Sequence, residues 1–142
     1  MSLPWEEVPH TADWALRVRG DDLRSLFQNA ALGMAELIGG EGSADAKPDQ
    51  RAVTRDAPDL EMLLVDWLTE LLVMVEEEGV VFTGIEVGAV DGPGEGETAR
   101  LAARVTALPG GAFTKHIKAV TYHNLAIRRS DQGFETTIVF DV

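Results

Sequence analysis

Hydrophobic and polar positions change period along this chain, and the changes mark out its elements. From Asp13 to Arg19 they alternate: Trp14, Leu16 and Val18 share one side, and Asp13, Ala15, Arg17 and Arg19 share the other. Period two predicts a half-buried strand. Gly20-Asp21-Asp22 interrupts it, and an Asp there can cap a helix by accepting from free backbone N–H groups. Leu23, Leu26, Phe27, Ala30, Met34, Leu37 and Ile38 then recur at helical spacing until Gly39-Gly40 stops the helix. The stretch Gly39–Gln50 is small, polar and acidic and reads as a surface loop, and Arg51–Asp56 reads as a short strand. Pro58 and Asp59 open a second helix, which carries Leu60, Leu63, Leu64, Trp67, Leu68, Leu71, Leu72 and Val75 as one wide stripe before Glu76-Glu77-Glu78-Gly79 ends it. Such a stripe is core, not a cofactor pocket. Burying these side chains is worth about 1.5–3 kcal/mol each, so this helix is an expected centre of the fold.

After Gly79 the pattern is strand-rich. Val80–Val90 and Thr98–Leu108 flank the Gly-rich turn Asp91–Glu97, and Leu125–Arg129 and Phe134–Asp141 flank Ser130-Asp131-Gln132-Gly133. Both pairs read as hairpins, and Pro109-Gly110-Gly111 reads as another turn. The order predicts an α+β fold, a largely antiparallel sheet packed against two amphipathic helices. A doubly wound parallel sheet fits less well, because no crossover helices separate the later strands. With 142 residues and only short turns between elements, one domain over 1–142 is expected.

Composition narrows the class. Hydrophobic residues are 45% and charged residues 25% of the chain, as in ordinary globular proteins. No run approaches the roughly 18 apolar residues of a membrane span, and residues 1–10 lack the basic and apolar regions of a signal peptide. Cysteine is absent, which excludes disulfides, thiolate metal sites and a cysteine nucleophile and fits a reducing compartment such as the cytoplasm.

The formal net charge is −12, which by itself argues against a nucleic-acid clamp. The charge is unevenly distributed. Residues 1–97 are net −15, whereas 98–130 hold Arg100, Arg104, Lys115, Lys118, Arg128 and Arg129 and no acid. These six are either solvated strand faces or one basic region that meets a partner.

Catalytic motifs are missing. His10, His116 and His123 do not pair at HExxH spacing, and no GxxxxGK[ST], strand-borne GxGxxG or GxSxG occurs. Acids flank the glycines at 92–96 and would repel phosphate. In the last predicted strand Phe134, Thr136, Ile138 and Phe140 share one phase, while Glu135, Thr137, Val139 and Asp141 share the other. Asp13 and Asp141 thus both oppose the main apolar phase of their strands. If the first and last strands are neighbours, the two carboxylates can meet around a cation, with the Val142 α-carboxylate beside them. Oxygen ligands without Cys suit Ca²⁺, Mg²⁺ or Mn²⁺. Taken by spacing alone, two Asp residues this far apart in sequence are ordinarily two surface acids.

The segments HTADWALRVRG, DDLRSLFQNAALGMAELI, DLEMLLVDWLTELL, IKAVTYHNLAI and the terminal VFDV resemble the archease family, in that family's order and over nearly the whole chain. HTAD and IKAVTYH are the specific blocks. Divergence falls mainly in 40–58 and 80–112, and Trp14 stands where an aliphatic residue is commoner. The resemblance implies an accessory factor of tRNA splicing and RNA repair. Its partner would be the RtcB-type RNA ligase, which joins an RNA 3′-phosphate or 2′,3′-cyclic phosphate end to a 5′-hydroxyl using GTP and Mn²⁺. The accessory factor would promote guanylylation of the ligase and multiple turnover. GTP would be bound by the ligase, and tRNA met only indirectly. The resemblance further implies a divalent-metal site at Asp13, Asp141 and Val142, with calcium the ion expected in a structure and magnesium or manganese in the cell. It makes Lys118 the residue of partner activation, and it assigns no role to His10 or His123. Two other readings compete: a small metal-dependent enzyme acting on phosphate esters, with His10 as acid or base, and a general protein chaperone.

Overall fold

The computed structural model describes residues 3–8, 14–94 and 97–142. Its elements in chain order are β1 (Trp5–Val8), β2 (Trp14–Gly20), α1 (Leu23–Ile38), β3 (Gly39–Gly42), β4 (Asp49–Ala57), α2 (Leu60–Glu78), β5 (Val80–Asp91), β6 (Ala99–Phe113), β7 (Ala119–Val120), β8 (Arg128–Ser130) and β9 (Gly133–Asp141). All strand pairings among the described residues are antiparallel, so the fold is α+β, as the hydrophobic pattern predicts.

Two sheets form. In the first the order is β1-β2-β9-β7, with β8 also on β9; in the second it is β3-β6-β4, with β5 on the other side of β6. The first and last strands are neighbours: β2 pairs β9 from Gly20↔Phe134 to Trp14↔Phe140. Leu16 and Val18 face the core, fully buried, while Trp14 is half-buried. Ala15 is buried too, opposite the buried Val139, so both faces of the sheet are covered at this end.

Helix α1 begins where the sequence places a cap, and α2 begins at the expected Pro58-Asp59 opening, with Asp59 as its cap. The Asp22 carboxylate accepts from the Ser25 N–H at 2.8 Å, and the Ser25 hydroxyl accepts from the Asp22 N–H at 3.1 Å, a reciprocal box. The Asp59 carboxylate accepts from the Met62 N–H at 2.8 Å, so Pro58 precedes the cap. Gly79 ends α2 in the left-handed conformation, φ 62° and ψ 46°, which costs glycine no Cβ clash.

Helix α1 lies against β2 and β5, and α2 against β4, β6 and β7. Phe27, Leu63, Leu64, Trp67, Leu68, Leu71, Ile138 and Phe140 belong to one continuous core that includes residues of both sheets. The Trp67 indole N–H donates to the Phe27 carbonyl at 3.1 Å, tying the helices together. Side chains of α1 also close the outer edge of β5: the Val87 N–H donates to Gln28, and the Val87 carbonyl accepts from Arg24.

Four local expectations change. Strand β1 has no counterpart in the sequence reading. The expected loop after α1 begins instead with β3, whose glycines pair Gly42↔Gly110 and Glu41↔Gly111. Pro109-Gly110-Gly111 is therefore inside β6, not a turn. A Cβ on Gly110 would lie 2.5 Å from the Glu41 carbonyl oxygen, so glycine serves close strand approach there. Strand β8 is short and sits at Arg128–Ser130, because Ile127 is tied to α2 by an N–H bond to the Glu61 carboxylate at 3.0 Å.

Candidate functional site

The last strand brings two of the expected site residues together. Lys118 precedes β7, and its N–H donates to the Asp141 carbonyl at 2.7 Å, after which Ala119 pairs with Asp141 and Val120 with Phe140. The Lys118 and Asp141 side chains are both exposed. Among the described residues neither side chain has a hydrogen bond or ion pair. Val142 is half-buried against the core. Asp13 and His10, with the rest of the HTAD block, lie outside the described residues. The described part of the β2–β9 ladder ends on Trp14↔Phe140, and Asp13 and Asp141 are the next residues in sequence on either strand.

The segment between Thr114 and His123 is fixed at several points. The Thr114 and Lys115 N–H groups both donate to the Ile38 carbonyl, at 2.8 and 3.2 Å. They thereby satisfy an acceptor that the end of α1 leaves open. Ile117 is buried in the core. Thr121 donates to the Val139 carbonyl through both its N–H and its hydroxyl, at 3.0 and 2.9 Å. The His123 N–H donates to the Thr121 hydroxyl at 3.3 Å, and Asn124 follows with a left-handed φ of 52°. Tyr122 is exposed; partial desolvation, followed by the negative charges of Asp66 and Asp59, pushes its phenol above the ordinary value.

One contact at this end of the molecule escaped the sequence reading. The Lys115 ammonium sits over the Trp14 ring, 2.8 Å from its centroid, and 3.5 Å from a Glu7 carboxylate oxygen. The signal available was Trp14 itself, an aromatic residue on the predicted first strand.

The fit to a hard cation rests on chemistry. Asp141 offers a carboxylate that serves no other described group, and Val142 offers main-chain oxygen. Among the described residues no cluster of three or more His, Asp or Glu side chains could hold a metal ion, so these residues can supply only part of a shell. Two clefts of about 580 and 590 Å³ open beside Trp5 and Glu36, and Lys118, Asp141 and Val142 line neither. No described helix is long and apolar enough to cross a membrane.

Comparison with known proteins gives a consistent result. The model of the archease protein family matches residues 5–142. The archease of Methanosarcina acetivorans is 35% identical over 140 residues, covering 97% of this chain and 95% of that one. The archease of Methanopyrus kandleri is 33% identical over 142 residues, covering 99% and 100%. Among solved structures, the solution structure of Methanobacterium thermoautotrophicum protein 1598 superposes with a TM-score of 0.74 at 28% identity, covering 99% of this chain and 100% of that one. A Thermotoga maritima crystal structure, described as an archease and possible chaperone, shares the fold with a TM-score of 0.63 at 20% identity, covering 96% of each chain.

Proposed function

Because this chain belongs to the archease protein family, we propose that it is a non-catalytic activator of an RtcB-type RNA ligase, acting in the cytoplasm on tRNA splicing and RNA repair. The observation that carries this reading is the junction of Lys118 with Asp141 by a 2.7 Å backbone hydrogen bond, with both side chains exposed and unpaired among the described residues. An exposed ammonium and an exposed carboxylate on two residues joined through the backbone suit a partner's nucleotide pocket better than an enclosed reaction of their own.

In this reading Lys118 offsets triphosphate or carboxylate charge on the ligase. Asp13, Asp141 and a main-chain oxygen of Val142 would hold a divalent cation, calcium, magnesium or manganese. A β2–β9 ladder running one step further would set the two Asp residues opposite each other. The cation, when bound, supplies positive charge beside the phosphates of the ligase's GTP. The chain as a whole, at net −12, is steered toward a basic RNA enzyme. RNA itself is met only through the ligase.

The test is ligation of RNA ends bearing a 3′-phosphate and a 5′-hydroxyl, with GTP, Mn²⁺ and limiting ligase. Addition of this chain should raise ligase guanylylation and turn one turnover into many. No effect on either refutes activation. Hydrolysis of phosphate esters by the chain without ligase would favour the metal-dependent enzyme. Suppression of aggregation of unrelated proteins, without ligase activation, would favour the chaperone.

A further inference from the structure

We propose that Lys115 is a positioning residue: its ammonium, packed on Trp14, fixes the segment that presents Lys118 beside the Asp141 end of β9. The proposal rests on the reading that Lys118 carries activation. Thr114–Lys118 has no strand partner of its own until β7 begins at Ala119. It is held by the Ile38 carbonyl at one end, the Asp141 carbonyl at the other, the buried Ile117 side chain, and a 2.9 Å contact of the His116 ring with Glu76 of α2. Lys115 adds a link of a different kind. Trp14 is the β2 residue paired with Phe140, the neighbour of Asp141, so a cation seated on its ring joins the segment to both strands of that ladder. Glu7 brings β1 into the same contact.

The seat is sheltered. The Lys115 side chain is 18% exposed, against 44% for Glu7. Partial desolvation strengthens a cation–π contact relative to an exposed one, and the four-carbon stem packs as it reaches the ring. The ammonium is therefore engaged within the chain, whereas Lys118, three residues on, stays exposed and unpaired among the described residues. One lysine holds and the other is presented.

Three variants test this. Lys115→Met keeps a long apolar side chain and removes the charge, Lys115→Arg keeps a cation able to stack on the indole, and Trp14→Leu removes the ring. The first readout needs no ligase: hydrogen exchange of the Lys118 amide, which donates to Asp141. It should quicken about tenfold in Lys115→Met and Trp14→Leu and stay near the parent rate in Lys115→Arg, with amides of α2 unchanged. The second readout is ligase activation. The maximal stimulated rate should fall about tenfold in Lys115→Met, while the concentration giving half-maximal activation holds. In a Lys118→Ala background Lys115→Met should cost nothing more, since it acts through Lys118. An unchanged Lys118 amide in both Lys115→Met and Trp14→Leu overturns the proposal, as do additive losses in the double variant. Exchange that quickens across the whole chain means a fold defect, and overturns it too. If the parent chain fails to activate the ligase, the functional reading falls while the amide exchange still decides the role of Lys115.

Discussion

Replacing Lys118 by Ala should separate function from fold. The side chain is exposed and bonds to no described residue, while the Lys118 N–H that reaches Asp141 belongs to the backbone and survives the substitution. The stability change should therefore stay within about 0.5 kcal/mol, a melting shift of about 2 °C for a chain of this size. Loss of activation has a larger scale. An ammonium about 4 Å from a phosphate oxygen, at an effective dielectric of about 20, gains about 4 kcal/mol. Desolvation of the ammonium offsets part of that gain. A residue of about 2 kcal/mol corresponds to about thirtyfold in rate. Lys118→Arg should recover only part of it, because a planar guanidinium does not replace a compact ammonium in a close phosphate contact. The assay is ligase turnover at limiting concentrations of this chain, paired with thermal unfolding of each variant. Normal activation by a normally melting Lys118→Ala refutes the reasoning and returns Lys118 to the solvated surface. A variant that melts far below the parent makes the residue structural.

The remaining expectations concern the fold and the cation. Trp67→Phe removes the indole donor to Phe27 and part of a fully buried ring. About 1 kcal/mol for the hydrogen bond and about 2 for lost burial and cavity should lower the melting temperature by about 10 °C. Asp22→Ala should cost about 1 kcal/mol at neutral pH, read by denaturant titration. The Ser25 backbone N–H, then its hydroxyl, hold the Asp22 carboxyl below its ordinary value. A lowered folded value means that this stabilisation is complete above the unfolded value of about 3.9 and is lost as pH falls through the folded one. The gap between parent and variant should therefore close in acid, and a constant gap would mean that charge plays no part in the cap. Asp141→Asn should weaken calcium binding at least about tenfold by calorimetry, and residues appended after Val142 should weaken it if a terminal carboxylate is a ligand. Unchanged binding in Asp141→Asn removes Asp141 from the site. So does an experimental structure placing the Asp13 and Asp141 carboxyl carbons more than about 8 Å apart, beyond what two ligands of one ion can span.

What the chain discloses about its fold depends on how local the cause is. Caps and apolar stripes are local, and Asp22, Asp59, Gly79 and the α2 stripe are legible because each works within a few residues. β1 and β3 are not. Glu6, Glu7 and the glycines at 39, 40 and 42 carry no strand signature of their own; they become strands because β2 and β6 offer free edges to pair with. Pro109-Gly110-Gly111 has a turn's composition, yet the same lack of Cβ that permits a turn also permits the close approach of β3 to β6. Composition cannot distinguish these two uses of glycine. The adjacency of β2 and β9 was conditional in the sequence, and register settles it.

The site shows the same division, most clearly in its charges. The acid-free stretch 98–130 has the look of a basic region as long as it is read along the chain. Antiparallel pairing then mixes it with acids from distant segments. Arg100 stands opposite Asp56 and Asp91, Arg104 opposite Glu86, and Arg128 opposite Glu135. Arg129 lies over the Phe134 ring, and Lys115 goes to Trp14 and Glu7. Segregation in sequence thus becomes neutralisation across strands, which favours solvated strand faces over a basic patch. Lys118 escapes because it precedes β7 instead of lying within a ladder. Among the described residues it is the one base of the six with no acid directly opposite it, no ring beneath it and no ion pair. Among the described residues the Lys118 ammonium and the Asp141 carboxylate are left exposed and uncompensated at the end of β9. Long-range steering must then come from the acidic remainder of the molecule and weaken with salt, while the effect of Lys118 must be felt only at contact. Salt should therefore slow the onset of ligase activation in parent and Lys118→Ala alike, and leave the difference in their maximal stimulated rates nearly unchanged.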